Sequence, residues 1–154
     1  ITVSTKPEVQ YLLRLGDTVC MRAFQSAVGC VNAERGNLLW SRTIGGTEGV
    51  AGNEQVIVGA DASDRLTAWR TASGEVAWTS ERLMYRSVSS PLAVGPTVVF
   101  VDGEGTVHWM SLDKGEPVLR LSTDSSGAAA APVASGNTLL VVTRNGGLHA
   151  FRPE

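Results

Sequence analysis

The sequence has no long apolar run, no sustained helical periodicity and few reactive side chains. No stretch approaches the roughly 20 apolar residues that cross a bilayer as a helix. The first residues show no charged segment followed by an apolar one, and position 1 is Ile rather than Met, so the chain reads as a mature or truncated product. Neither sign of charge dominates: 13 basic residues face 15 acidic ones, for a net charge of −2. A nucleic-acid binder working through phosphate contacts would carry a basic excess, so no nucleic-acid partner is expected. The two cysteines and two histidines form no cluster with metal-ligand spacing, and no metal site is expected. A Gly-x-Ser-x-Gly elbow, a P-loop and a dinucleotide fingerprint are all missing, so no catalytic residues are assigned.

What remains is a chain of 154 residues, 43% apolar and 18% charged. That is the composition and length of about one folded domain with a proper core. Glycine is frequent, at 17 residues, and proline scarce, at 6. Short β-branched runs recur: Thr18–Met21, Val56–Val58, Thr97–Val101 and Leu139–Val142. Each is bounded by Gly, Asn, Asp or Pro, which predicts an all-β fold of many short strands.

The runs belong to an internal repeat. One unit opens on Gly16-Asp17-Thr18-Val19 and closes on Gly36-Asn37-Leu38-Leu39-Trp40. The next closes on Gly74-Glu75-Val76-Ala77-Trp78, and the third on Gly115-Glu116-Pro117-Val118-Leu119. A fourth opens on Gly136-Asn137-Thr138-Leu139 and stops after Phe151. The anchor glycines at 36, 74 and 115 lie 38 and 41 residues apart. A period near 40, with four short strands per unit, marks the blade of a β-propeller. The expected architecture is a partial propeller over 1–154, with repeats at about 5–46, 47–86, 87–127 and 128–154. It holds about fifteen strands in nearly four four-stranded blades, the last blade lacking its outer strand.

The repeat frame also assigns the unusual residues. Trp40 and Trp78 occupy one slot, four residues after the glycine, and Leu119 the same slot in the third unit. A recurring large apolar residue favours packing between adjacent blades over stacking on a ligand. Asn145-Gly146 is a strong two-residue hairpin signal. Transferred through the repeat, it puts turns at Glu104-Gly105 and Gln25-Ser26, with one extra residue around Ala62–Asp64 in the second unit. His108 and His149 then face Val101 and Val142 across their hairpins, as repeat equivalents rather than catalysts. Cys20 pairs with Val31 and Cys30 with Met21, so the thiols point to opposite faces and are expected free. Only a three-residue loop, Phe24–Ser26, would set them directly opposite. Asp61, Asp64, Asp102 and Glu104 read as solvated turn residues. Asp124–Gly127 reads as an ordered loop between blades and a candidate contact.

Three segments together resemble a known family: Met84-Tyr85-Arg86-Ser87-Val88-Ser89-Ser90-Pro91-Leu92, Asp102-Gly103-Glu104-Gly105-Thr106-Val107-His108-Trp109, and Asp124-Ser125-Ser126-Gly127. They are similar to the BamB family, the β-propeller lipoproteins of the outer-membrane β-barrel assembly (BAM) complex. The resemblance implies an eight-bladed propeller of PQQ-like repeats, of which this chain is about the C-terminal half. It implies a lipid anchor, outside this chain, at the periplasmic face of the outer membrane. It implies binding to the POTRA domains of BamA, contact with unfolded outer-membrane proteins, no enzymatic role and no cofactor. One departure stands out. Where the family often has an acidic pair contacting BamA, the matching positions here are Thr2 and Ser4, so that site is not carried over and the partner-binding residues are unknown. Gln10–Arg14 reads as an insertion.

The expected function is therefore a non-enzymatic scaffold assisting β-barrel insertion. The rivals are part of a quinoprotein (PQQ-dependent) dehydrogenase propeller and a generic propeller interaction module. The dehydrogenase would need vicinal cysteines, calcium-ligating side chains and a channel tryptophan. The uncovered last blade further predicts self-association, with residues 1–6 of one copy beside Leu148–Phe151 of another.

Overall fold

Val56–Ala60 is buried at every position. Side chains of a strand alternate between two faces, so such a run needs cover on both. The computed structural model, which describes residues 9–23 and 25–153, shows where the cover comes from. Fifteen strands form four antiparallel sheets among these residues. The first sheet runs β1 (Val9–Leu15), β2 (Thr18–Ala23), β3 (Ala27–Asn32), β4 (Leu38–Thr43). The second runs β5 (Val50–Gly52), β6 (Val56–Ala60), β7 (Leu66–Arg70), β8 (Val76–Ser80). The third runs β9 (Leu92–Val94), β10 (Thr97–Val101), β11 (Val107–Ser111), β12 (Pro117–Leu121). The fourth has three strands, β13 (Val133–Ser135), β14 (Thr138–Val142) and β15 (Leu148–Phe151).

Each sheet is a blade, and the cores lie between blades. Val56, Val58 and Ala60 of β6 pack with Val98, Phe100 and Met110 of the third blade. The intervening Ile57 turns the other way, against Cys20, Val28 and Trp40 of the first. β10 repeats the device: Val99 and Val101 meet Leu139 and Val141 of the fourth blade. The first strands gather on one side, β1 beside β5 and β5 beside β9. The last strands form the opposite rim, and β12 is exposed along its whole length.

Three of the hairpins between first and second strands are tight. Leu15↔Thr18, Val94↔Thr97 and Ser135↔Thr138 leave two-residue turns that begin with Gly16, Gly95 and Gly136. All three glycines have positive φ, as a type II′ turn requires of its first central residue.

The hairpins between second and third strands correct the transferred turns. Ala60 pairs with Leu66, Val101 with Val107 and Val142 with Leu148. Five residues connect each pair, rather than the two at Glu104-Gly105 and Asn145-Gly146. The cause is the first residue of each connection. Asp61 Oδ1 accepts the N–H groups of Ser63 and Arg65. Asp102 Oδ1 accepts those of Glu104 and Thr106. Thr143 Oγ1 accepts that of Gly147. A polar side chain that caps its own loop stabilises the longer turn. His108 consequently stands opposite Phe100, and His149 opposite Val141, one position from the expected Val101 and Val142.

The hairpin between β2 and β3 differs again. Ala23 pairs with Ala27, which leaves three residues, 24–26, in the connection. Cys20 therefore faces Cys30, with Cα atoms 4.0 Å apart, and the two form a disulfide. The expectation of free thiols on opposite faces is corrected, and turn length is the reason. Gln10–Arg14 lies within β1, and the pairing shifts register between Val9 and Tyr11 to take up one extra residue. The expected start near Pro7, the positions Thr2 and Ser4, and the contact of residues 1–6 with a second copy lie outside the described residues.

Candidate interaction site

The last strand of a blade carries a tryptophan into the next blade. Trp40 Nε1 donates to the Thr71 carbonyl at 2.7 Å, and Trp78 Nε1 to the Leu112 carbonyl at 2.8 Å. Each indole lies against the turn glycine of that next blade, Trp40 on Gly74 and Trp78 on Gly115. In the third blade the slot holds Leu119, which is half-exposed.

At the opposite end, the links between blades are stitched into the five-residue hairpins on either side. Tyr85 N–H donates to the Ser63 carbonyl, and the N–H groups of Ser87 and Val88 donate to Asp64. Gly103 N–H donates back to the Arg86 carbonyl at 2.7 Å. The next link repeats the pattern: Arg144 N–H reaches the Gly127 carbonyl, and Asn145 N–H reaches Ser126 Oγ. Asp124–Gly127 is thus a tie between hairpins. Tyr85 and Ser87 both hold positive φ, a costly conformation for such residues, and these bonds keep them there.

Three of the turn carboxylates at this end, Asp61, Asp64 and Asp102, are engaged by hydrogen bonds, while Glu104 is exposed. Asp102 is 1% exposed. Its Oδ2 lies 2.8 Å from His108 Nε2 and 3.4 Å from Arg86 Nη1. Burial pushes its carboxyl up, yet the bonds from His108 and from the N–H groups of Thr106 and Glu104 outweigh burial and hold it below the ordinary value. The reading of Asp102 as a solvated turn residue is corrected by this pairing. His149 occupies the equivalent slot, where Thr143 replaces the aspartate. Its carboxylate comes instead from the link: Asp124 Oδ2 stands 3.8 Å from His149 Nε2 and accepts the Thr143 hydroxyl. Hydroxyl donation from Ser126 and Thr143 holds the Asp124 carboxyl down at about 2.

Arg22 is a site residue that the repeat frame did not single out. It is fully buried, and one of its nitrogens, Nη2, donates to the Gly45 carbonyl. Nε and Nη1 lack partners among the described residues. Burial lowers its pKa, opposed by the charges of Asp61 and Glu48. The signal was available: Arg22 is two residues from the core residue Cys20 and therefore on the same face of β2. At this same end a cavity of about 700 Å³ opens, lined among others by Tyr11, Glu48, Asp61, Ser89 and Arg144. No group of three or more ligating side chains that could hold a metal occurs among the described residues. The geometry is that of braced loops and exposed strand edges.

Residues 3–80 match the family described as outer membrane protein assembly factor BamB. The protein of that name from Burkholderia pseudomallei (strain K96243) is 40% identical over 140 residues, 91% of this chain and 37% of that protein. The crystal structure of BamB from Moraxella catarrhalis superposes with a TM-score of 0.84 at 17% identity, over 92% of this chain and 42% of that one. A quinohemoprotein alcohol dehydrogenase from Comamonas testosteroni superposes with a TM-score of 0.68 at 15% identity, over 86% of this chain and 28% of that one. This chain spans well under half the length of these relatives.

Proposed function

Because the chain belongs to the BamB family of outer membrane protein assembly factors, we propose that it serves outer-membrane protein assembly as a non-enzymatic scaffold. The family match over residues 3–80 carries the reading. Stacked blades give a rigid body whose loops are fixed by hydrogen bonds and whose outer strands are accessible. Such surfaces suit docking of another protein. The partner in this reading is the set of POTRA domains of BamA, with unfolded outer-membrane proteins as clients. The place of action is the periplasmic face of the outer membrane, where the whole protein is held by a lipid. The Cys20–Cys30 disulfide supports an oxidising compartment of this kind.

The dehydrogenase reading has less support. Likeness to the alcohol dehydrogenase at 15% identity concerns the fold alone. Cys20 and Cys30 are ten residues apart and joined across two strands, unlike a vicinal pair.

Calorimetric titration of the purified chain with the soluble POTRA domains of BamA tests the proposal. Saturable binding is expected, at micromolar affinity or better. Absence of heat at about 100 μM, a concentration at which even weak docking registers, would overturn it.

A further inference from the structure

Between the second and third blades, on the outer flank, lies a cleft of about 300 Å³. Its ionisable side chains are all basic: Arg82 and Arg86 from the link after β8, His108 from β11 and Arg120 from β12. Met110 and Pro117 supply part of its apolar wall. No carboxylate lines it. Asp102, the carboxylate that meets Arg86 and His108, is already engaged by both and by two backbone N–H groups. Arg82 and Arg120 have no ion-pair partner within 4.0 Å among the described residues. They are exposed, and His108 beside Arg120 is buried.

Arg86 shares the Asp102 carboxylate with His108, but the Arg82 and Arg120 guanidinium groups at the same hollow have no counter-charge of their own, and an anion between them would relieve their repulsion. Arginine is also the side chain best shaped to hold a carboxylate, through two parallel N–H···O bonds. The hollow is preformed. Leu83 and Val88 anchor the link in the core, and the bonds from Tyr85, Ser87 and Gly103 fix the backbone between them. A fixed backbone lowers the ordering cost of binding to that of the arginine side chains. At about 300 Å³ the cleft is at the lower limit for a drug-sized ligand, and fits one or two side chains. Its outer border is β12, an edge strand exposed along its whole length. An extended backbone can run beside it.

We propose that this cleft docks an extended segment of a partner protein in which acidic and apolar residues adjoin. A carboxylate would lie between Arg82 and Arg120, and the neighbouring apolar side chain against Met110 and Pro117. The recognition is independent of whether the chain engages POTRA domains, and the two tests fail separately.

The probe is a fluorescein-labelled octapeptide of alternating Glu and Leu, with the Gln–Leu octapeptide as its uncharged counterpart. Fluorescence anisotropy with the full chain should show saturable binding of the first that weakens with salt. Arg82→Gln and Arg120→Gln should each weaken it about tenfold, the effect of losing one charge-assisted contact. Arg35→Gln, an exposed change on the β3–β4 turn, should leave it unchanged. Equal binding of the Gln–Leu peptide, or indifference to both cleft variants, would overturn the proposal. So would a cleft that ignores the acidic peptide but binds phosphatidylglycerol vesicles with the same arginine dependence.

Discussion

The indole of Trp40 fills the space that a side chain at residue 74 would need: a Cβ on Gly74 would stand 2.4 Å from the ring. Gly115 bears the same relation to Trp78, at the same 2.4 Å. The glycine of one blade and the tryptophan of the blade before it are therefore one device, and neither can change alone.

Gly74→Ala should accordingly cost more than backbone strain. Its φ of +70° already penalises a side chain by roughly 1–2 kcal/mol. Displacing Trp40, with its bond to Thr71, should raise the loss to about 3 kcal/mol or more. Gly136→Ala provides the comparison, since φ there is +56° and nothing lies within 4 Å of its Cβ position. Urea unfolding of the two variants reads the difference, and equal losses would show that Trp40 yields freely.

The disulfide predicts an intact mass two hydrogens below that of the reduced chain. Both cysteines are fully buried, so mild reductant should act only on molecules that have opened. Replacing both cysteines by alanine removes a cross-link with a sequence separation of 10. By loop-closure entropy the loss should be about 2–3 kcal/mol. A fully reduced mass after expression into an oxidising compartment would count against the pairing of Ala23 with Ala27.

Acid should loosen the ties between blades in a defined window. The Asp124 carboxyl is held at about 2 against an ordinary 3.8. A carboxyl depressed by folding contributes stability that is complete above its unfolded value and lost as pH falls toward its folded one. Asp102 is depressed too, with the same sign. Asp124→Asn should therefore flatten the decline in stability between about pH 4 and pH 2 relative to the parent chain. Chemical denaturation across that range is the measurement, and parallel curves would refute the assignment.

Arg22→Met should be neutral or stabilising, by up to about 2 kcal/mol. The arginine is buried with two nitrogens unpartnered among the described residues. Replacing a poorly satisfied buried charge by an apolar side chain of similar length removes the desolvation penalty. A large loss of stability would mean that the attraction of Glu48 and Asp61 outweighs that penalty.

The repeat made the blades legible, because the spacing of Gly36, Gly74 and Gly115 is a property of the chain alone. Trp40 and Trp78 could be placed between blades for the same reason. The rest depended on turn lengths, which two-residue signals misjudge. Asn145-Gly146 looks like a complete turn until Thr143 is seen to cap a longer one. The histidines then moved by one residue, and the Asp102–His108 pair emerged where only a solvated carboxylate was expected. A one-residue difference in the β2–β3 hairpin likewise decided whether Cys20 and Cys30 meet. The arginine cleft was not legible at all, since Arg82, His108 and Arg120 come from three separate elements.

Among the described residues no blade has a core of its own, and each apolar cluster is a seam between two neighbours. Such a body behaves like a row of coupled spins, in which each unit is held by its neighbours and hardly at all by itself. The coupling is uneven. The seam of the second and third blades unites eleven buried residues, from Val56 to Leu112, while that of the third and fourth unites five. Opening should therefore begin at the weaker seam, peeling the fourth blade away while the second and third stay clasped. Amide hydrogens of β14 should exchange well before those of β6 and β10, whose release awaits the collapse of the whole row.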